Sequence, residues 1–182
     1  MNTLSYKTIS VNKETATKEW VVIDATDQLP GLKDWLGGIR RNALDERAYL
    51  QLDSKKLCTD DSYCWHHLVR PWLRHLALQL NGPACTTILV GLNGDVVFRP
   101  VPEHQAREQL QALLQAWVAG MQEPLPVACE SAFAWLKAGG ESSDSAYDKA
   151  RDIYEGGYMK KGEVERSFAQ RRAYADFDQL CA

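Results

Sequence analysis

The alternation of apolar and polar residues is cleanest between Thr86 and Pro100. TTILVGL (86–92) and DVVFRP (95–100) are strand-like runs joined by Asn93-Gly94, a dipeptide that suits the type I′ turn between twisted antiparallel strands. WVVIDA (20–25) reads as a strand closed by the turn signal DQLPG (27–31), and LSYKTIS (4–10) alternates weakly. In LGGIRRNALDERAYLQLD (36–53) two apolar segments flank the polar loop RNALDE, which predicts a hairpin with Ala48–Asp53 as its second strand.

Elsewhere the period lengthens to that of a helix. Asp60 or Asp61 can cap a helix over about residues 62–80, with Trp65, Leu68, Trp72, Leu76 and Leu80 on one stripe. Pro71 predicts a kink or break near Val69, and Asn81-Gly82-Pro83 ends the helix. Pro102 opens a second helix, on which Ala106, Leu110, Leu113, Leu114, Trp117, Val118 and Met121 form one apolar face. EPLP (123–126) is an extended connector, and a short helix in ESAFAWLKAGG ends at Gly139-Gly140. ESSDSAYDKARDIYEGG holds another, capped by Ser142 or Ser143 and stopped at Gly156, and the charged tail from Gly162 to Phe177 is helical in part. Strands, a helix, a hairpin and then helices predict an α/β or α+β fold, with a mixed central sheet flanked by helices.

Composition narrows the functional classes. A length of 182 residues suits one domain spanning 1–182, with residues 1–19 as a polar lead-in expected to be poorly ordered. Hydrophobic residues at 45% and charged residues at 25% are globular values, which exclude disorder throughout. The net charge is −3 and there is no long basic run, so contact with nucleic acid must be local or shared with a partner. No apolar run is long enough to span a bilayer and MNTLSYKTIS has no signal-peptide pattern, which points to a soluble cytoplasmic protein. Five cysteines at irregular spacings argue against a disulfide framework. Cys58, Cys64, His66 and His67 lack the paired spacing of a zinc site, so no metal centre and no cofactor is expected.

The candidate chemistry lies in LQLDSKK (50–56), where a strand runs out into Asp53-Ser54-Lys55. An Asp at a strand end can hold a divalent cation, and a Lys two residues on can polarise the attacked phosphate. One carboxylate does not hold a hard cation. With 24 acids and ten lysines, roughly one acid-x-Lys triplet is expected by chance, and solvated residues leaving a strand are the simpler reading.

Three further stretches carry a family likeness: HLVRPWLRHLALQLNG (67–82), the run from TTILVGLNGDVVFRP to CESAFAWL (86–136), and KARDIYEGGYMKKGEVERSFAQRRAYADF (149–177). Together, with Trp72-Leu73-x-His75-Leu76, Pro-Leu-Pro at 124–126, Tyr154-x-Gly156, Gly162-Glu163 and Arg166 carrying most of the match, they resemble the end of the RecC family, the gamma subunits of exodeoxyribonuclease V (the bacterial RecBCD helicase-nuclease). The likeness covers about residues 20–180. Family members are several times longer, so it implies a C-terminal piece of a longer subunit. It further implies a restriction-endonuclease-like core of the PD-(D/E)xK type, catalytically degenerate. In active relatives a strand carrying Gly-x-Ile-Asp leads through a turn to a strand ending in Asp-x-Lys. Here Gly38-Ile39-Arg40 precedes the turn, so the resemblance puts Arg40 where the metal-binding acid belongs. A guanidinium there repels a cation and would pair with Asp53 or with a phosphate. Asp24, Asp27 and Asp34 are the acids that spacing allows as replacements, and the following helix shows Trp72 and His75 in place of the Gln and Tyr of active relatives.

The expected function is accordingly non-catalytic: assembly with RecB and RecD, splitting of double-stranded DNA ends and guidance of single-stranded DNA in double-strand break repair by homologous recombination. Candidate phosphate contacts are Arg40, Arg41, Arg70, Arg74, Arg171 and Arg172. The rivals are an active magnesium-dependent nuclease using Asp53 and Lys55, and a protein-interaction module without DNA contact. Trp72, His75, Tyr154, Gly156, Gly162, Glu163 and Arg166 are expected to be structural.

Overall fold

A computed structural model describes the backbone of residues 19–23 and 32–35, and backbone and side chains of residues 36–42, 44–60, 62–80, 82–143 and 145–182. The weak strand at 4–10, the turn at 27–31 and nearly all of the polar lead-in lie outside the described residues.

In chain order the elements are β1 (Glu19–Ile23), β2 (Leu32–Leu36), β3 (Ile39–Arg41), β4 (Arg47–Leu52), α1 (Trp65–Gln79), β5 (Cys85–Gly91), β6 (Gly94–Phe98) and α2 (Glu103–Gly120). Then follow α3 (Cys129–Lys137), a 3₁₀ turn (Gly140–Ser142), α4 (Ser145–Glu155), β7 (Gly156–Gly157), β8 (Lys160–Lys161), α5 (Glu163–Arg166), α6 (Phe168–Ala173) and α7 (Phe177–Cys181). They form two compact units, Met1–Val118 and Ala119–Ala182. The architecture is mixed α/β, with a mixed central sheet flanked by helices.

In the first unit β1 and β2 form an antiparallel pair, and the central sheet has the order β3-β4-β5-β6. β3–β4 and β5–β6 are antiparallel hairpins, whereas β4 and β5 run parallel and need the crossover that α1 supplies. Alternation along β4 sends Tyr49 and Gln51 toward α1. Tyr49 clusters with Leu78 of α1 and with Cys85, and Gln51 accepts a hydrogen bond from Arg74. A second cluster, Leu57, Leu68, Leu89 and Val96, continues this layer, and α2 adds Ala106 and Leu110 against Leu76 and Ala77. The opposite face of the sheet is apolar yet open: Leu50, Leu52 and Val97 stay exposed, Leu52 at 77%.

Four expected details fall differently. α1 begins at Trp65 with Cys64 at its N-cap and no side-chain cap, so the helix starts later than expected and Asp60 is not at its cap position, while Asp61 lies outside the described residues. The preceding residues are held instead by the Cys58–Tyr63 bridge and by the Thr59 hydroxyl on the Ser62 carbonyl. The helix is not broken at Pro71: α1 runs through a buried Pro71, because Leu68, His75, Leu76 and Leu78 bury the same helix against the sheet and α2. The β5–β6 turn is not type I′. Gly91 pairs with Gly94, so Leu92 and Asn93 form the loop, and among the described residues Asp45 is the one non-glycine with positive φ. Asn93 is occupied elsewhere. Its side-chain oxygen accepts from the Leu57 and Cys58 amides and its NH₂ donates to the Cys58 carbonyl, pinning the loop after β4, while Gly94 takes φ +146°. Finally, Ser142 closes the 3₁₀ turn and α4 starts at Ser145, so the cap position falls on residue 144, outside the described residues.

The second unit is built around a helix end capped from a distance. α3 has Ala128 at its N-cap, which offers no side-chain acceptor. The Glu163 carboxylate takes that role, accepting from the Glu130 amide (3.1 Å) and from the Ser131 amide and hydroxyl (both 2.9 Å), where a negative charge also suits the helix dipole. Arg166 completes the arrangement with a bidentate pair to Glu130 (2.7 and 2.8 Å) and an Nε–H to the Gly162 carbonyl. Tyr154, fully buried, donates its hydroxyl to the Tyr174 carbonyl (2.7 Å) and packs with Ala128, Ala150, Val164 and Phe177. Burial, together with nearby Glu163, pushes its phenol pKa up.

Two glycines allow this closeness. Gly156 sits at φ +77°, and a Cβ there would overlap the backbone of Gly162; a Cβ on Gly162 would overlap the Tyr154 carbonyl and the backbone of Glu155. Gly162→Ala should therefore cost about 3 kcal/mol or more in urea unfolding, because backbone rather than a mobile side chain has to yield. A change near the ±0.5 kcal/mol of an ordinary surface substitution would contradict this packing.

Candidate functional site

β4 delivers Asp53 to its own C-terminal end. The Asp53 amide still bonds to the Val90 carbonyl (2.9 Å), continuing the parallel ladder for one more residue. The chain then turns, and the Asp53 Oδ1 accepts from the Lys55 amide (3.0 Å), a short-range side-chain turn that closes the strand. Lys55 is exposed, and its carbonyl accepts from the Leu92 amide, tying the turn to the β5–β6 loop. Leu57 then drops into the core against Gly91, where a Cβ would lie 2.6 Å from Leu57 Cγ. Asp53-Ser54-Lys55 thus has a structural task at the mouth of the sheet.

Arg40 is not brought to it. In the β3–β4 hairpin Arg40 stands opposite Ala48, and Asp53 lies five residues further along the same strand, about 16 Å away. Arg40 shares the sheet face of Ala48, Leu50 and Leu52, whereas Asp53 continues the Tyr49–Gln51 side. The pairing of Arg40 with Asp53 expected from the sequence does not form. The side chains of Asp24, Asp27 and Asp34 lie outside the described residues. Among the described residues no three His, Cys, Asp or Glu side chains come together as a metal-binding group.

The candidate arginines differ in their freedom. Arg40 and Arg70 are exposed and make no ion pair among the described residues. Arg41 is bridged to Asp45 (2.8 Å), and Arg74 donates to Gln51 at the helix–sheet boundary (3.0 Å). In the second unit Arg171 lies over the Phe168 ring at 5.9 Å, and Arg172 is exposed. His66 and His67 place their rings edge to face at 4.0 Å on the first turn of α1.

His75 is internal, and Trp72 is half-buried beside it. The Trp72 ring stacks on His75 and meets Phe98 edge-on, with its Nε1–H donating to Gln109. His75 has no exposed surface; its Nδ1 meets the Thr87 hydroxyl at 2.9 Å and its Nε2 the Arg99 carbonyl at 3.0 Å. A carbonyl only accepts, so Nε2 carries the proton and Nδ1 accepts from Thr87. The hydrogen-bond partners of His75 had no signal in sequence, since Thr87 and Arg99 lie 12 and 24 residues away. Among the described residues no helix is long and apolar enough to cross a membrane.

Burial holds the His75 pKa below the ordinary 6.5, partly offset by the Arg99 carbonyl. The folded form therefore disfavours the proton that the unfolded chain takes up. The stability this contributes is complete above about pH 6.5 and is lost as pH falls below it. Denaturant titrations from about pH 7.5 down to pH 5 should show falling stability, and His75→Gln should flatten that slope while lowering stability at pH 7.5 by about 1–3 kcal/mol. An unchanged slope in the variant would remove His75 as its origin.

Comparison with known proteins adds the following. Residues 7–140 match the family described as the RecC C-terminal domain. The RecBCD enzyme subunit RecC of Escherichia coli (strain K12) is 32% identical over 112 residues, covering 55% of this chain and 10% of that relative. The match thus spans about a tenth of the curated relative's length. Tyr154, Gly156, Gly162, Glu163 and Arg166 lie beyond the segment that matches the family.

Proposed function

The chain belongs to the RecC C-terminal domain family, and on that premise we propose that it is a nuclease-like, catalytically degenerate piece of a RecC subunit, which handles DNA ends without cutting them. The core of the first unit is of the PD-(D/E)xK type. Support comes from the succession of a hairpin, a strand ending in Asp53-Ser54-Lys55, a helical crossover, a parallel strand and an antiparallel partner.

One observation carries the non-catalytic reading: the strand before the turn puts Arg40 on the face away from Asp53, and the Asp53 carboxylate accepts from its own turn. A hard cation needs several oxygen ligands converging on one point, and a lone carboxylate engaged in a turn does not supply them. The domain acts by shape and charge. Within exodeoxyribonuclease V it contacts RecB and RecD, takes part in opening double-stranded DNA ends and guides single strands during recombinational repair of double-strand breaks. Arg40 and Arg70, exposed and without an ion-pair partner among the described residues, are the first-unit side chains best suited to phosphates.

Incubation of the chain with linear duplex and single-stranded DNA in Mg²⁺ or Mn²⁺ should leave both intact, for wild type and Asp53→Ala alike. Metal-dependent cleavage that disappears in Asp53→Ala would replace this reading with that of an active nuclease.

A further inference from the structure

The hairpin formed by β7 and β8 has a tip that its turn does not explain. Gly157 pairs with Lys160, so Tyr158 and Met159 are the two loop residues. Neither loop residue has a positive φ, so the turn accepts most residue types and selects for neither of the two it holds. Here they are a tyrosine at 103% and a methionine at 91% exposure, the most solvent-exposed large hydrophobic side chains among the described residues. A Tyr and a Met standing in water contribute nothing to the fold that carries them.

The surroundings of the tip say what it suits. Lys160 and Lys161 follow it, both exposed and neither in an ion pair among the described residues. The nearest acids in sequence are committed elsewhere: Glu155 accepts from the Phe177 amide and Glu163 caps α3, leaving Glu165 as the free acid of this stretch. Seven residues after Lys161, at most about 25 Å along an extended chain, Phe168 is 73% exposed with the Arg171 guanidinium over its ring and Arg172 beside it in sequence. Exposed aromatic rings interleaved with unpaired cations are the combination that single strands demand, with π-faces for unstacked bases and positive charge for phosphates. The root of the ribbon is fixed, because Gly156 and Gly162 press backbone against backbone beside buried Tyr154. The tip is therefore presented in a set position and little ordering cost falls on binding.

We propose that the Gly156–Lys161 hairpin is a single-stranded DNA contact, with Tyr158 as a base-stacking platform, Lys160 and Lys161 on phosphates, and the Phe168–Arg171 pair as a second platform. This rests on the DNA-handling reading above and assigns it to residues of the second unit. The test is fluorescence anisotropy of a labelled oligo-dT of about 20 nucleotides with the full chain across a salt series. Tyr158→Ala should weaken binding about tenfold with the salt slope unchanged, and Tyr158→Phe should keep the affinity of wild type. Lys160→Ala with Lys161→Ala should reduce the slope of log K against log salt by about 1.4, two phosphates at about 0.7 each. These side chains point into solvent, so circular dichroism melts of all variants should coincide with wild type. If wild type binds oligo-dT and the tip variants bind equally well, as a hairpin that docks on protein would give, the assignment fails while the DNA-handling reading stands. If the wild-type chain binds neither oligo-dT nor forked duplex at low salt, the DNA-handling reading fails and the assignment with it.

Discussion

The first unit depends on the buried imidazole of His75. Two parallel strands joined by a helix leave that helix to be located on the sheet, and an apolar stripe alone fixes its distance better than its rotation. His75 fixes both, since one ring nitrogen meets Thr87 in the middle of β5 and the other meets the Arg99 carbonyl just past β6. Gln79, one turn later, adds bonds to the backbone of Cys85 at the start of β5. Polar groups buried this deeply are costly unless every one is satisfied. A helix turned or shifted by one residue would strand all of them.

That seating determines what lies at the C-terminal end of β4. The loop between β4 and α1 must return across the sheet to reach Trp65, and it does so by dropping Leu57 onto Gly91 while Asn93 grips the Leu57 and Cys58 backbone. Asp53 opens this return with its own turn. The end of β4 thus starts a loop that the core requires. The second unit solves a comparable problem with charge. Glu163, Glu130 and Arg166 close a helix end that its own N-cap leaves bare, and the resulting closeness of the chain admits only glycine at 156 and 162.

Chemistry and stability are therefore separated in an informative way. Histidine, glutamate and arginine side chains that look reactive in sequence are the structural ones, whereas groups left open to solvent are Arg40 of β3, Arg70 of α1 and the aromatic and basic residues after Gly156. Burial of a polar group is affordable when its partners are built in, and exposure of an aromatic ring has no such internal reason. The apolar face of α2 follows the same logic in part: Ala106 and Leu110 are buried, while Leu113, Trp117 and Met121 on the same stripe stay exposed.

The mixed α/β class, the two hairpins, the positions of α1 through α4 and the stop at Gly156 were legible in the chain because each rests on local periodicity or on a glycine. The likeness to the RecC family was legible through motifs. Partners distant in sequence decided the rest. Pro71 does not break α1, because burial against two layers outweighs the missing hydrogen bond. Asn93 stays in the loop without a positive φ and spends its side chain on bonds with Leu57 and Cys58, 36 and 35 residues away. Arg40 and Asp53 share one hairpin, yet whether they meet depends on register and on the side of the sheet each faces, and a motif does not encode either. Residue types and spacing thus determined which elements form; only packing across the sheet decided which side chains meet, because those contacts join residues whose spacing follows no local period.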